Sequence, residues 1–269
     1  MRRVPPSLID VFGGMVHMKR LILALLLLVA GLAGAGAQTP AAPRPRVLAF
    51  FDTGGEIDHY FFATQAMRDF SAKAAANGYS FSATSDWNAL SDESLRDVKV
   101  IIWLNGQPGN DAQRQAFQRY MERGGAWLGF HVSGFGPNSW AWFKDFMGGV
   151  SFGASNWPSL PARVNVDDMA HPAMQGVPQS FVAPINEWYS WNPSPRGTGA
   201  VKVLMTLDKS NFPLGVKNLL NGGDIPVAWS NTRYKMIYLN YGHGDRIYTG
   251  PELTRITDNS LAWLLAQQK

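Results

Sequence analysis

The first half of the chain alternates between short, continuous apolar runs and longer segments with helical periodicity. The apolar runs have the length of strands, and a strand that is apolar on both sides is typical of a sheet covered on both faces. Strands are therefore predicted at residues 47–51, 79–84, 100–104 and 126–130. This pattern favours an α/β fold.

Helical segments fill the connections between these strands. Asn77-Gly78 and Gly124-Gly125 mark two helix ends, because glycine readily adopts the left-handed conformation found there. The predicted helices are 60–76, 92–98 and 111–123, with a further helix beginning at Ser139. Strands separated by helix-length connections predict a doubly wound, mostly parallel sheet with helices on both faces, as in flavodoxin-like folds. We expect the runs 47–51, 100–104 and 126–130 to be neighbouring parallel strands.

The pattern changes after Gly148. Residues 149–200 are rich in Gly, Ser, Pro and Trp, and apart from a strand at 162–166 they are predicted to form an irregular, Trp-rich insertion packed over the sheet edge. Strands return at 201–207, 226–230 and 235–240, and a helix at 251–266 closes the chain.

The N-terminal segment is predicted to be a signal peptide. Lys19-Arg20, an apolar run and small residues up to Ala37 follow one another in the order of a cleavable signal. Residues 1–37 are assigned to this signal, with a candidate spurious extension ahead of Met18, residues 38–46 to a Pro-rich linker, and residues 47–269 to the folded domain. We expect export to the periplasm or secretion, with no stable membrane span after cleavage; an uncleaved anchor is the alternative.

Charge and cysteine content narrow the function classes. The pI is 9.3, but residues 1–37 hold four basic residues and one acidic residue, which leaves 20 basic and 19 acidic residues in the remainder. A nearly neutral mature protein is not expected to bind nucleic acid. The chain has no cysteine, which excludes disulfides and a thiol nucleophile.

Three histidines, His59, His131 and His243, follow predicted strands. Because the carboxyl ends of parallel strands meet at one edge, where ligand sites collect, we expect these histidines to line one pocket. His131 is the apex of a strand–turn–helix unit, which is a position of reactive side chains in α/β enzymes. A hydrogen-bonded structural role is the alternative for each of them, and it is favoured for His171, which precedes a proline.

Two kinds of chemistry are open to this group. Imidazoles titrate near neutral pH, so His131 and His243 are candidate acid/base groups, together with Glu187 in the insertion. Imidazole is also the commonest metal ligand, and His59, His131 and His243 could hold a divalent ion such as zinc. Their long spacing matches no compact metal motif, so the sequence leaves the cofactor undecided.

Tryptophans are the second unusual feature. Trp140, Trp157 and Trp188 lie on or after the central turn, in surroundings rich in Gly, Pro and Ser. Flat aromatic faces beside Asn and Asp side chains suit the apolar faces and hydroxyls of a sugar, so a small-molecule carbohydrate is the predicted ligand. Packing in the core is the alternative for each ring.

In their order and spacing, these residues resemble the ThuA-like family, named for trehalose utilisation, within the class I glutamine-amidotransferase-like fold. The resemblance covers about residues 47–267 and no single motif carries it. Its elements are Thr53-Gly54 with His59, Asn105, Gly124-Gly125 ahead of Gly129-Phe-His131, His171-Pro172, Gly176-Val-Pro178, Glu187-Trp188-Tyr189, Pro226-Val-Ala-Trp229 and Gly242-His243.

The resemblance implies a role in sugar or glycoside catabolism. It places His131 where the amidotransferases of this fold carry a cysteine, so glutamine hydrolysis through a thioester is excluded for this chain. It also makes Asn105 and Tyr189 candidate substrate-binding residues beside His59. Ahead of His59, where relatives often carry a basic residue, this chain has Glu56 and Asp58.

Three functions are compatible with these features. The first is an exported enzyme that acts on a disaccharide or an oxidised (keto) sugar by hydrolysis, elimination or isomerisation. The second is a non-catalytic carbohydrate-binding protein, and the third is an interaction protein that uses the Trp-rich insertion. An enzyme should bring two or more titratable groups into one pocket, a binding protein mainly aromatic rings and amides, and an interaction protein should expose its tryptophans on a convex patch.

Overall fold

A computed structural model describes residues 43–137, 139–210 and 221–266. The predicted signal peptide lies outside the described residues, as does most of the Pro-rich linker. The described chain builds one large sheet of nine strands and a separate two-stranded ribbon. No helix in these three ranges is long and apolar enough to cross a membrane.

The first half of the chain supplies a parallel layer. Its strands are β1 (Arg46–Phe50), β2 (Ser80–Thr84), β3 (Val98–Trp103) and β4 (Ala126–Phe130). They lie in the order β2-β1-β3-β4, and each adjacent pair is parallel. The three runs expected to be neighbouring parallel strands are therefore neighbours, and their carboxyl ends share one edge.

The second half extends this sheet in the other direction. Its strands are β5 (Ser151–Ser155), β6 (Leu160–Val166), β7 (Ser180–Asn186), β8 (Tyr189–Asn192), β9 (Val201–Leu207), β10 (Pro226–Asn231) and β11 (Lys235–Leu239). Strand β11 pairs in parallel with β4, and β10, β9, β6 and β7 follow in antiparallel pairs. The sheet is thus parallel from β2 to β11 and antiparallel from β11 to β7.

The prediction of an irregular segment at 149–200 is wrong in part. Strands β6 and β7 form an antiparallel pair that extends the main sheet, and β5 pairs with β8. The strand periodicity was obscured because apolar residues, Pro161 and Val182, occupy exposed positions, so the alternation of buried and exposed positions does not appear as an alternation of apolar and polar residues.

The helices are α1 (Ile57–Ala74), α2 (Asp111–Glu122), α3 (Ala141–Phe146) and α4 (Pro251–Leu265). The predicted helix at 92–98 is wrong: this segment makes isolated turn hydrogen bonds, such as Leu95 N–H to the Ser91 carbonyl, before β3 begins at Val98. Seven residues close to a strand start are too few for a helix that packing does not support.

Helices cover both faces of the sheet. On one face α1 and α4 pack against side chains of β3 and β4 that include Ile102 and Leu128. On the other face α2 and α3 pack against the alternate residues of the same strands, Trp103 and Trp127. Because successive strand residues point to opposite faces, continuous apolar runs were needed to build two cores.

Candidate functional site

The three histidines that follow strands meet at the carboxyl edge of the parallel layer. His59 is in the first turn of α1, His131 directly follows β4, and His243 lies four residues beyond the end of β11. Their ring centroids are 4.9 Å (His59–His131), 5.0 Å (His59–His243) and 5.6 Å (His131–His243) apart. The parallel register of the sheet brings residues distant in sequence into one cluster.

His131 has an unusual backbone conformation. Its φ angle is +47°, and among the described residues it is the one non-glycine residue with positive φ. Such angles are uncommon for residues with a Cβ atom, and they persist where the surroundings hold them. Two contacts do so here, since Nδ1 of His131 lies 2.8 Å from the Asn240 carbonyl and the Tyr238 hydroxyl donates to the His131 carbonyl at 2.9 Å.

Gly242 provides the space for this turn. Its φ is +152°, and a Cβ atom at this position would lie 2.7 Å from Cβ of His131. A larger residue would push the His131 side chain from its place. The glycine is therefore required by a close approach between the segments that follow β4 and β11.

Glu187 lies in the connection between β7 and β8, and Tyr189 is the first residue of β8. The Tyr189 hydroxyl lies 2.6 Å from Nε2 of His131 and 3.2 Å from Glu187 Oε2, and the Tyr189 ring stacks on the His131 ring. Glu187 Oε2 is 3.5 Å from Nε2 of His131. The strands of the insertion thus deliver a carboxylate and a phenol to the histidines.

Three buried amides hold this connection in place. The Asn240 side chain accepts from the Tyr189 backbone N–H and donates to the Tyr189 carbonyl. The Asn186 carbonyl oxygen accepts from the backbone N–H groups of Gly242 and His243. Asn156 Oδ1 accepts from the Trp188 N–H. Because buried amides with satisfied hydrogen bonds resist displacement, the pocket wall is rigid.

His243 faces carboxylates on several sides. Its Nε2 is 3.5 Å from Glu56 and 3.7 Å from Glu187, and its Nδ1 is 3.6 Å from Asp58. Ser159 Oγ lies 3.3 Å from the same Nδ1. The carboxylates close to His243 thus come from the start of α1 and from the insertion.

Burial sets the protonation of the other two histidines. Desolvation, with the neighbouring imidazoles of His131 and His243, lowers the pKa of His59 to about 3. Burial likewise lowers the pKa of His131. Although burial opposes it, the neighbouring side chains of His131 and Ser155 hold the pKa of Glu187 at about 2. At neutral pH two uncharged imidazoles therefore lie beside an ionised carboxylate.

Some of these side chains could hold a metal ion. His59, His131 and Glu187 form one group whose candidate ligand atoms lie within 4.8 Å of one another, and Glu56, His59 and His243 form another. The three histidines that the sequence suggested as a metal set thus divide between two groups that share His59.

The remaining predicted residues have other surroundings. Asn105 uses its amide to accept from the Asp52 N–H and donate to the Asp52 carbonyl, which joins the loops after β1 and β3. Trp140 and Trp188 are buried in the two cores, so their rings offer no face to a sugar. Trp157 is 72% exposed and its ring lies 5.9 Å from that of His243. Of the three tryptophans, Trp157 alone borders the pocket.

Several residues of the pocket were not predicted. Glu56 and Asp58 were noted only as a departure from relatives, although they flank His59 directly. Asn240 follows the apolar run of β11, and Asn186 ends β7. A polar amide directly after a buried strand was the signal available for both. His171 keeps its structural role, because its Nδ1 accepts the Ala173 N–H at the start of a short turn.

Comparison with known proteins shows the family and the fold. The family model ThuA, described as trehalose utilisation, matches residues 46–264. A ThuA-like protein from Bacteroides uniformis is 40% identical, with a TM-score of 0.80 over 88% of this chain and 97% of its own. A ThuA-like protein from Parabacteroides merdae is 13% identical, with a TM-score of 0.61 over 82% of this chain and 90% of its own. No curated protein sequence matches.

A more distant structure shares the fold alone. A GMP synthase-like protein from Thermoplasma acidophilum is 10% identical, with a TM-score of 0.50 over 82% of this chain and 94% of its own. This likeness agrees with the amidotransferase-like fold implied by the sequence, and it says nothing about activity.

The lowered pKa of His59 predicts a pH dependence of stability. The unfolded chain takes up a proton near the ordinary value of 6.5, whereas the folded chain takes it up near 3. His59 therefore does not reduce the free energy of unfolding above pH 6.5. Between pH 6.5 and pH 3 that free energy falls as the pH falls, because the unfolded chain binds the proton and the folded chain does not. The measurement is urea unfolding with EDTA present, at a series of pH values. Between these limits the slope of the unfolding free energy against pH should be smaller in His59→Asn than in the wild type, by the amount that about one bound proton contributes. Above pH 7.5 the curves should be parallel, and an equal loss at low pH would contradict the assignment.

Proposed function

The chain belongs to the ThuA family, whose description is trehalose utilisation, and from this premise we propose that it is an enzyme that acts on a disaccharide or an oxidised (keto) sugar. The observation that supports the proposal is the convergence of His131, His243 and Glu187 at the carboxyl edge of the sheet. A protein that only binds sugar needs aromatic rings and amides, and has no need to gather titratable groups.

The environments of the two histidines suit different roles. His131 is buried, its pKa is lowered, and its Nδ1 proton is directed to the Asn240 carbonyl, which leaves the lone pair on Nε2. An uncharged imidazole in this tautomer can accept a proton. Tyr189, whose pKa is raised by burial, keeps its proton and holds Nε2 in position through its hydroxyl.

His243 suits the opposite role. Carboxylates of Glu56, Asp58 and Glu187 lie within 4 Å of its ring nitrogens. The surroundings of His243 therefore differ from those of His131 in having acidic groups on more than one side, and this difference is the basis for giving the two imidazoles different roles. We assign His131 as the base, His243 as the acid, and Glu187 as the carboxylate that links them. Hydrolysis, elimination and isomerisation each need this pair.

The tryptophans do not favour the alternative functions. Trp140, Trp188 and Trp191 are buried, and among the described tryptophans Trp157 is the one with most of its surface exposed. A convex Trp-rich surface for a partner is therefore absent from the described part of the chain. Trp157, at the mouth of the pocket next to His243, is the proposed contact for the apolar face of a sugar.

Replacement of His131 tests the catalytic assignment. Trehalose and its 3-keto derivative are incubated with the protein, and products are followed by NMR. With whichever sugar turns over, His131→Ala should lower kcat by a factor of about 10²–10⁴, because a general base is lost. The matched control is His171→Asn, a buried histidine outside the pocket, which should keep its activity. Undiminished turnover by a folded His131→Ala variant would exclude His131 as the base.

Replacement of Trp157 tests the sugar contact. Since this ring is exposed, Trp157→Ala should leave the urea midpoint unchanged while raising KM about tenfold with little change in kcat, as expected for a contact worth about 1.4 kcal/mol. Trp140→Phe is the control, and it should lower the midpoint without raising KM. An unchanged KM in Trp157→Ala would remove this residue from the binding site.

We also propose that the protein is exported, on the order of charged, apolar and small residues in the segment 1–37. Mass spectrometry of the protein isolated from its native cell should find an N-terminus at Gln38. A chain that still begins at Met1 or Met18 in periplasmic or secreted material would contradict cleavage.

A further inference from the structure

We propose that the pocket binds one divalent transition-metal ion of the zinc class, held by His59, His131 and Glu187. The inference concerns the same pocket as the proposed function, but it needs no substrate. Nε2 of His131 cannot bind an ion and accept a proton at the same time, so the role of His131 as a base applies to the pocket without the ion. It is carried by the positions of the donor atoms, the contacts that orient them, and one buried nitrogen that has no partner.

The donor atoms are close enough to share an ion. Zinc binds imidazole nitrogen and carboxylate oxygen at about 2.0–2.2 Å, so donors on one ion lie about 3–4 Å apart. Nε2 of His131 and Oε2 of Glu187 are 3.5 Å apart, and the candidate atoms of the whole triad fall within 4.8 Å. Small side-chain rotations would close the remaining distance.

The contacts around the triad orient its members as ligands. A metal-binding histidine usually donates its other ring N–H to a carbonyl or carboxylate, which fixes the tautomer. Nδ1 of His131 lies 2.8 Å from the Asn240 carbonyl, so Nε2 is the nitrogen that faces Glu187. The carboxylate in turn is hydrogen-bonded to Ser155 and Tyr189.

His59 supplies the most direct indication. Its Nε2 is buried and has no hydrogen-bond partner within the described ranges. A buried polar atom without a partner destabilises the fold, and among such atoms in the described residues this one is the imidazole nitrogen that lies in the pocket. The atom lies among the rings of His131 and His243, neither of which satisfies it. An ion bonded to this nitrogen would remove the cost.

The donor types select the class of metal. Two imidazole nitrogens and one carboxylate oxygen favour zinc and its neighbours over magnesium or calcium, which prefer sites built from oxygen alone. Three protein ligands leave a coordination position open, as in catalytic rather than structural zinc sites. A sugar hydroxyl or a water molecule could bind at the open position.

Two features of the pocket compete with this arrangement. The Tyr189 hydroxyl lies 2.6 Å from Nε2 of His131, and it must turn toward Glu187 when an ion binds. The second group, Glu56, His59 and His243, shares His59, so one ion uses only one of the two. We assign the ion to the first group because Glu56 is 42% exposed, whereas Glu187 is 16% exposed and held by hydrogen bonds.

The experiment measures bound zinc in the full mature chain without a histidine tag. Protein stripped with EDTA is incubated with zinc sulfate, passed through gel filtration and assayed by mass spectrometry for metal. The wild type should carry about one zinc ion per chain, and its melting temperature should rise with zinc concentration. His59→Ala and Glu187→Gln should lose most of the ion, whereas His171→Ala and Glu56→Gln should keep it.

Variants also separate this site from its alternatives. Tyr189→Phe should bind zinc at least as tightly as the wild type, because a competing hydrogen bond is removed. Circular dichroism confirms that each variant is folded. A wild type without zinc, or zinc lost in Glu56→Gln but kept in Glu187→Gln, would overturn the assignment. If the protein binds zinc but turns over no sugar, the proposed function is contradicted and the zinc site is not. If the protein turns over a sugar but binds no zinc, the zinc site is contradicted and the proposed function is not.

Discussion

The hydrogen bond between Nδ1 of His131 and the Asn240 carbonyl is the contact on which the rest of the pocket depends. At 2.8 Å and fully buried, it ties the turn after β4 to the end of β11. It directs Nε2 of His131 into the pocket, and it helps to hold the backbone at a positive φ angle. A hydrogen bond in a low-dielectric interior is strong, and breaking it would leave two buried groups without partners.

Asn240 connects this contact to the rest of the site. Its backbone orients His131, while its side chain holds both backbone groups of Tyr189. The Tyr189 hydroxyl then returns to Nε2 of the same histidine. One residue at the end of a strand therefore couples the central sheet to the insertion, and a shift in either would move the imidazole and the phenol together.

The insertion completes the pocket through its strands. Strand β7 ends in Asn186, whose side chain fixes the backbone of His243, and the next residue is Glu187. The carboxylates from the insertion and from the start of α1 surround His243, whereas His131 and His59 are kept uncharged by burial. Imidazoles of the same chemical type thus have different surroundings, because Glu56 and Asp58 approach His243 from the start of α1 while Glu187 lies between His131 and His243.

Local pattern determined the sheet and the rim of the site. Apolar runs with helix-length connections specified parallel strands. Because the carboxyl ends of parallel strands share one edge of the sheet, that arrangement placed His59, His131 and His243 at this edge. Of the strands in the insertion, β6 was predicted, whereas β5, β7 and β8 were not, because Gly, Pro and Trp mask a period of two. The segment 92–97 was predicted as a helix and is a turn, because a short helix depends on packing.

Tertiary structure alone decided which aromatic and polar groups serve the pocket. Trp140 and Trp188 have much the same local sequence character as Trp157, yet the first two fill the cores and the third is exposed beside His243. Asn105, Asn186 and Asn240 each stand at or near the end of a strand. Their hydrogen-bond partners differ, because each side-chain amide bonds to the backbone groups that the fold places next to it. The periodicity of apolar residues indicates on which side of its own helix or strand a residue lies. The burial, electrostatic surroundings and hydrogen bonds of that residue depend on neighbours that are distant in sequence.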